Sequence, residues 1–239
     1  MTLSVNTAAE ITLTLNPTTH AQERNIYKRL QTSSTVEAAL GFLNSTFVTP
    51  NNIALHFGSY ERIWYENNTI EIPYDFIYSI RQGYKHTRIP HRFFSLDEFT
   101  GNTLFHVIFH ETAHALIDQY DLPVLGKEED AADALADVLL IHFFEDGADI
   151  VISAADLFYL DTQHSDGFSN EDYWSEHSIA PQRYYARLCH AYGSDPARYV
   201  SLKRRAGFSD TRAKRCIRQY EEVKRSWLRL LEPAFTTEP

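Results

Sequence analysis

Only two cysteines, Cys189 and Cys216, occur in the 239 residues, which excludes a disulfide-dense scaffold. No Cys-x-x-Cys pair or neighbouring histidine accompanies either, so neither is a good metal ligand. They fall in separate expected helices, to be paired in an oxidising compartment or left as buried thiols. Basic charge is also scarce. Lys and Arg number 22 against 32 Asp and Glu, a formal net charge of −10 that argues against general nucleic-acid or anionic-membrane binding. The locally basic stretch with Lys203, Arg204, Arg205, Arg212, Lys214, Arg215, Arg218, Lys224 and Arg225 reads as a solvated helix face. No apolar run approaches the roughly 18 residues that cross a bilayer. The start, Met1-Thr2-Leu3-Ser4-Val5-Asn6, lacks a basic segment followed by an apolar one. The chain as written therefore reads as neither a membrane protein nor a precursor with its signal. A cytoplasmic place is favoured, and a trimmed exported form would read the same way. Internal repeats and low-complexity linkers are missing too.

What is present is apolar substance: 44% hydrophobic and 13% aromatic residues, enough for a sizeable core. One domain over 1–239 is expected, with a supporting lobe over 1–50, a sheet and site helices over 51–145, and a helical lobe over 146–239. The first residues read as flexible, followed by a strand at Ile11 to Leu15 and helices near Thr19 to Leu30 and Thr35 to Asn44. Ile53, Leu55 and Phe57 alternate with non-core positions. Arg62 to Tyr65 and Thr69 to Ile72 flank the turn-former Asn67-Asn68, so a small antiparallel sheet is expected. Tyr74 to Tyr84 reads as helix, and Ser95-Leu96-Asp97-Glu98 as a capping box, with Gly101 blurring the helix start. Gly147 is a plausible helix stop. A helical stretch to about Leu160, a polar loop over Asp161 to Asn170 bordering the cleft, and helices over Ala180 to Tyr192, Asp195 to Ala206 and Ser209 to Leu231 follow. The fold class is α+β, helix-rich with a minor sheet.

One run states a chemistry. His110-Glu111-Thr112-Ala113-His114 is an H-E-x-x-H pattern inside the apolar stretch from Leu104 to Ile117. On a helix, residues four apart differ by about 40° of rotation, so both imidazoles leave one face and can converge on one ion. A zinc ion with two histidines and one carboxylate keeps a place for water, lowers its pKa toward about 7, and needs a nearby base. Glu111 is placed to be that base. His106 lies one turn before His110, but three histidines over two turns span about 12 Å and cannot share an ion, so it packs or bonds locally.

A third ligand is expected on the acidic, Ala/Leu-rich helix that begins near Gly126-Lys127-Glu128-Glu129-Asp130. Phase puts Asp130 and Asp137 on one stripe that looks solvent-facing and leaves Glu128 and Glu129 tied. Asp133, one turn beyond Glu129, could accept the free ring N–H of a ligating histidine and fix its tautomer, which favours Glu129 as ligand and Asp133 as its support.

The run from His110 to Asp118, the run from Asp121 to Asp133, and the later Glu176-His177, Gln182-Arg183-Tyr184-Tyr185, Cys189 and Tyr192-Gly193-Ser194-Asp195-Pro196 together resemble a bacterial family of putative metallopeptidases filed as a domain of unknown function. That family is a gluzincin-like zincin, and the likeness covers the chain from about Asn51 onward. It implies zinc held by His110, His114 and Glu129, with Glu111 as base. The spacing Glu129-x-x-x-Asp133 is similar to the gluzincin third-ligand helix, where the later acid supports the first histidine. The resemblance also implies His177, with Tyr184 or Tyr185, as the donor that steadies the oxyanion, and an edge strand that holds an extended peptide. The chain departs from the family where a cysteine pair is expected near the strands: it carries Phe57-Gly58-Ser59 and Ile72-Pro73-Tyr74, so no disulfide forms there.

The expected function is zinc-dependent hydrolysis of peptide bonds in a peptide or protein substrate, with no nucleic-acid or membrane partner. Two rivals keep the zinc: a binding or regulatory module with a structural metal, and an amidohydrolase acting on a non-peptide amide. Glu111 separates the first rival, because closed structural sites seldom need a free carboxylate beside the metal.

Overall fold

Asn67 and Asn68 both take left-handed backbone conformations, φ 50° and 61°, the pair of torsions a two-residue hairpin turn needs and asparagine tolerates. The turn joins β3 (Trp64–Glu66) to β4 (Thr69–Pro73), with Glu66 opposite Thr69 and Trp64 opposite Glu71. The computed structural model describes residues 9–86, 94–162 and 167–236. The leading stretch up to residue 8 and positions 163–166 of the expected polar loop lie outside them.

The rest of the sheet is not antiparallel as expected. β1 (Ile11–Leu15) runs parallel to β2 (Ile53–Gly58), and β2 runs parallel to β4, giving the order β1-β2-β4-β3. The turn signal at Asn67-Asn68 reports only the local hairpin. The parallel pairs arise because α1 (Ala21–Leu30) and α2 (Ser34–Thr46) form a helical crossover between β1 and β2, and because β3 is set outside β4 as the edge strand. Ile53, Leu55 and Phe57 of β2 and Ile70 and Ile72 of β4 are fully buried, as their alternation predicts.

β4 runs directly into α3 (Tyr74–His86). Then comes α4 (Leu96–Gln119), opened by Ser95. The Ser95 hydroxyl accepts from the Glu98 backbone N–H at 3.2 Å, and the Glu98 carboxylate accepts from the Ser95 N–H at 2.7 Å. Gly101 sits inside the helix. From Phe99 to Ile117 nearly every residue of α4 is buried, the signature of a helix enclosed on all sides. The motif thus lies on the central element of the core.

Around α4 pack α5 (Glu128–Phe143) and α6 (Gly147–Thr162), and α8 (Ala180–Ser194) covers α6. α5 ends at Phe144, which is extended, and Gly147 opens α6 instead of stopping the helix before it. A Cβ at Gly147 would fall 1.9 Å from the Leu140 carbonyl oxygen, so only glycine admits this tight α5–α6 junction. α7 (Asn170–Trp174) was not expected, and the helix expected over Asp195 to Ala206 is shorter. That helix, α9 (Val200–Arg205), begins only after the Asp195 carboxylate has accepted the N–H groups of Ala197 and Arg198 in a turn. The chain closes with α10 (Asp210–Leu230) and a 3₁₀ turn, Glu232–Ala234. Cys189 of α8 and Cys216 of α10 are bonded as a disulfide. Beside them a Cβ at Gly193 would meet the Cys216 carbonyl oxygen at 2.4 Å. None of the helices of the described residues is long and apolar enough to cross a membrane.

Candidate metal centre

α4 and α5 lie side by side, and the facing turns bring three side chains together. His110 and His114 present their Nε2 atoms 3.3 Å apart. Glu129, in the first turn of α5, places Oε2 at 3.2 Å from His110 Nε2 and 3.6 Å from His114 Nε2. One ligand atom from each of the three lies within 4.8 Å of the others. Ligands about 2.0–2.1 Å from one ion at tetrahedral angles stand about 3.3 Å apart, so the spacing suits a single small cation. Glu129 Oε2 is buried with ring nitrogens of His110, His114 and His177 at 3.2, 3.6 and 2.9 Å, none of them aligned for a hydrogen bond, a convergence of lone-pair atoms that a cation would satisfy. Two imidazole nitrogens and one carboxylate oxygen suit zinc.

The other acids of α5 divide by position. Glu128 is exposed and places Oε1 2.8 Å from His114 Nδ1, the nitrogen facing away from the cluster. Asp133 places Oδ1 2.8 Å from His110 Nδ1, close enough for an ion pair but not aligned for a hydrogen bond. Each histidine thus has an acid behind it, which favours Nε2 as the nitrogen offered to the cation. Glu111 is 6% exposed and lies 3.9 Å from His110 Nε2.

Asp133 is not alone. Arg183 donates to it through Nε and Nη2 at 2.7 and 2.8 Å, and Arg187, itself fully buried, through Nη1 and Nη2 at 3.0 and 2.6 Å. Beneath this lies Asp137, read from the sequence as solvent-facing but only 1% exposed. The stripe of α5 it shares with Asp130 emerges into solvent at the first turn and runs under α8 and α10 two turns later. Asp137 joins His106 Nε2 at 2.9 Å to His190 Nδ1 at 2.8 Å. His106 therefore bonds across 31 residues rather than locally and stands apart from the cluster. Arg183, Arg187 and His190 were missed as support. The available signal was their i, i+4, i+7 spacing on α8, one stripe turned toward α5.

The charges follow from these contacts. Burial disfavours a charged His110, but Asp133, Glu129 and Glu111 around it outweigh that and push its pKa up to about 9. Burial would raise Glu129 and Asp133. The histidines around Glu129, and Arg187, His110 and Arg183 around Asp133, instead hold both carboxyls well below the usual range. Burial pushes the pKa of Glu111 up, and His110, His114 and His177 nearby offset that only in part.

His177 sits on the segment before α8, which is tied to α5 by Lys127 Nζ donating to the His177 carbonyl at 3.1 Å and Ser178 Oγ donating to Asp130 at 2.7 Å. Its half-exposed ring reaches into the cleft, with Nε2 2.9 Å from Glu129 Oε2. The two tyrosines expected beside it do not line the cleft. Tyr184 is buried and accepts a hydrogen bond from Arg205 at 3.3 Å, and Tyr185 points outward. Arg183, one residue before Tyr184, lines the cleft instead. The cleft has a volume of about 680 Å³, and Trp64 and Tyr65 of the edge strand β3 form part of its rim.

The family described as Putative metallopeptidase, domain of unknown function 4344, matches residues 15–231 of the chain. No curated protein and no solved structure matches it.

Proposed function

Because the chain belongs to the putative metallopeptidase family, we propose that it hydrolyses peptide bonds at a zinc ion held by His110, His114 and Glu129, with Glu111 as general base. The observation that carries this reading is the three-way spacing of the two Nε2 atoms and Glu129 Oε2. When bound, zinc acidifies a coordinated water and polarises a substrate carbonyl.

The chain's own residues supply the rest. Glu111 has a carboxyl made more basic by burial, so its carboxylate takes the proton of the attacking water and delivers it to the leaving amine nitrogen. Asp133 and Glu128 hold the rings of His110 and His114 from behind. His177 Nε2, pointing into the cleft, donates a hydrogen bond to the oxygen that gains charge as the carbonyl is attacked. The edge strand β3 offers main-chain groups to an extended peptide.

Protein purified without chelators should carry one zinc per chain by elemental analysis. His110→Ala and Glu129→Ala should lose it and Glu128→Ala should keep it. Glu111→Gln should keep zinc while peptide cleavage falls by at least a hundredfold. Zinc retained in Glu129→Ala would move the third ligand to Glu128. Full zinc without cleavage of any peptide or small amide would favour a binding module with a structural metal.

A further inference from the structure

The cleft does not end at the metal-facing residues. Val107 lies one turn before His110 on the same side of α4 and lines the cleft, so the space extends about 5 Å along the helix from His110. Across from Val107 stand Ala154, Leu157 and Phe158 of α6, with Phe76 of α3 on a third side.

The charged groups bordering this recess are already engaged. Arg183 and Arg187 are both forked onto Asp133, and their guanidinium carbons lie 4.2 and 4.5 Å from the centre of the Phe158 ring. His106 is bonded to Asp137. Two arginines against Asp133 and Asp137 balance the recess wall, Arg62 and Lys127 accompany Glu111, Glu128 and Glu129 at its entrance, and an acidic side chain seated against the apolar wall would lose its water without gaining a partner.

We propose that this recess is a specificity pocket that accepts a large apolar side chain, the size of leucine or phenylalanine, next to the scissile bond. The proposal rests on the peptidase reading above. Val107, Leu157 and Phe158 are only partly buried in the chain itself, so a side chain seated among them removes apolar surface on both partners from water. Such burial corresponds to a preference of about tenfold or more over alanine.

The test uses blocked hexapeptides in which the residues flanking the scissile bond are varied among alanine, leucine, phenylalanine, tryptophan, aspartate and lysine. Turnover is followed with the zinc-loaded protein, and binding of the same peptides to Glu111→Gln by calorimetry. Leucine and phenylalanine should exceed alanine tenfold or more in both, with aspartate lowest. Val107→Trp, which fills the recess beside His110, should reverse the order so that alanine overtakes phenylalanine. Leu157→Ala, which widens it, should raise the relative rate for tryptophan, and zinc content reports that each variant is folded. Cleavage without apolar preference, or an unchanged order in zinc-loaded Val107→Trp, overturns the pocket and leaves the peptidase reading standing. Apolar-selective binding to Glu111→Gln without turnover by the parent protein supports the pocket and overturns the peptidase reading. Neither binding nor turnover for any peptide overturns both.

Discussion

Asp133 holds more of the site than its single charge suggests. It faces His110 on one side and takes four hydrogen bonds from Arg183 and Arg187 on the other. Asp133→Asn keeps the shape but strands Arg187 in the interior, and breaking a buried pair on one side costs about 3–5 kcal/mol. The same change should weaken zinc binding about 10–100-fold, because the ring of His110 loses its support. Urea unfolding and competition with a chromophoric chelator read the two effects separately, and unchanged zinc affinity would remove Asp133 from the metal's support. Asp137 contributes to acid stability. Burial would raise its carboxyl, but His106, His190 and Arg187 outweigh that and hold it at about 2. A depressed folded pKa stabilises the protein fully above the unfolded value, near 4, and the gain disappears as pH falls through 2. The amount is about 2 kcal/mol. Burial also lowers the pKa of His106, so the unfolded chain takes up that proton first and stability already declines below about pH 6.5. Thermal melts of chelator-treated protein should therefore show a midpoint that falls steadily from pH 7 to 3; a flat profile would contradict both assignments.

Among the elements, those fixed by neighbouring residues were readable. Ser95 and Glu98 announce the start of α4, Asn67-Asn68 the β3–β4 turn, and the i, i+4 histidines a shared face. α9 was overextended and α7 missed, because short polar segments carry weak periodicity and Asp195 diverts the backbone into a turn. The α8–α10 pair shows where an element depends on its partner. Gly193 lets the helices approach, and the disulfide between Cys189 and Cys216 closes a loop with a sequence separation of 27. Such a cross-link is worth about 3–4 kcal/mol through the entropy of the unfolded chain. A Cys189→Ala/Cys216→Ala double variant should lose about that much in denaturant melts, whereas Gly193→Ala should destabilise the protein even with the disulfide intact, because its methyl meets backbone. Equal stability of Gly193→Ala and the parent would mean that the helices separate at no cost.

At the scale of the whole molecule, the proposed zinc ties α4 to α5 through the middle of the core. Ligand binding to the folded state alone stabilises it by about 2.7 kcal/mol when free zinc is a hundredfold above its dissociation constant. For a domain of this size that is roughly 5–10 °C in the melting midpoint. Calorimetry with and without a chelator should show that loss and its recovery on adding zinc, and the Glu129→Ala variant should show neither. The sequence by itself determined the α+β class, the helical H-E-x-x-H face and the candidate acids, because each depends on spacing along one helix or one turn. Only the tertiary structure decided that Glu129 rather than Glu128 faces both Nε2 atoms, that Asp137 is buried, that Arg183 and Arg187 converge on Asp133, and that β2 runs parallel to its neighbours. Those outcomes depend on how α5, α8 and the α1–α2 crossover pack, and contacts between residues 15 to 54 positions apart leave no local period in the chain.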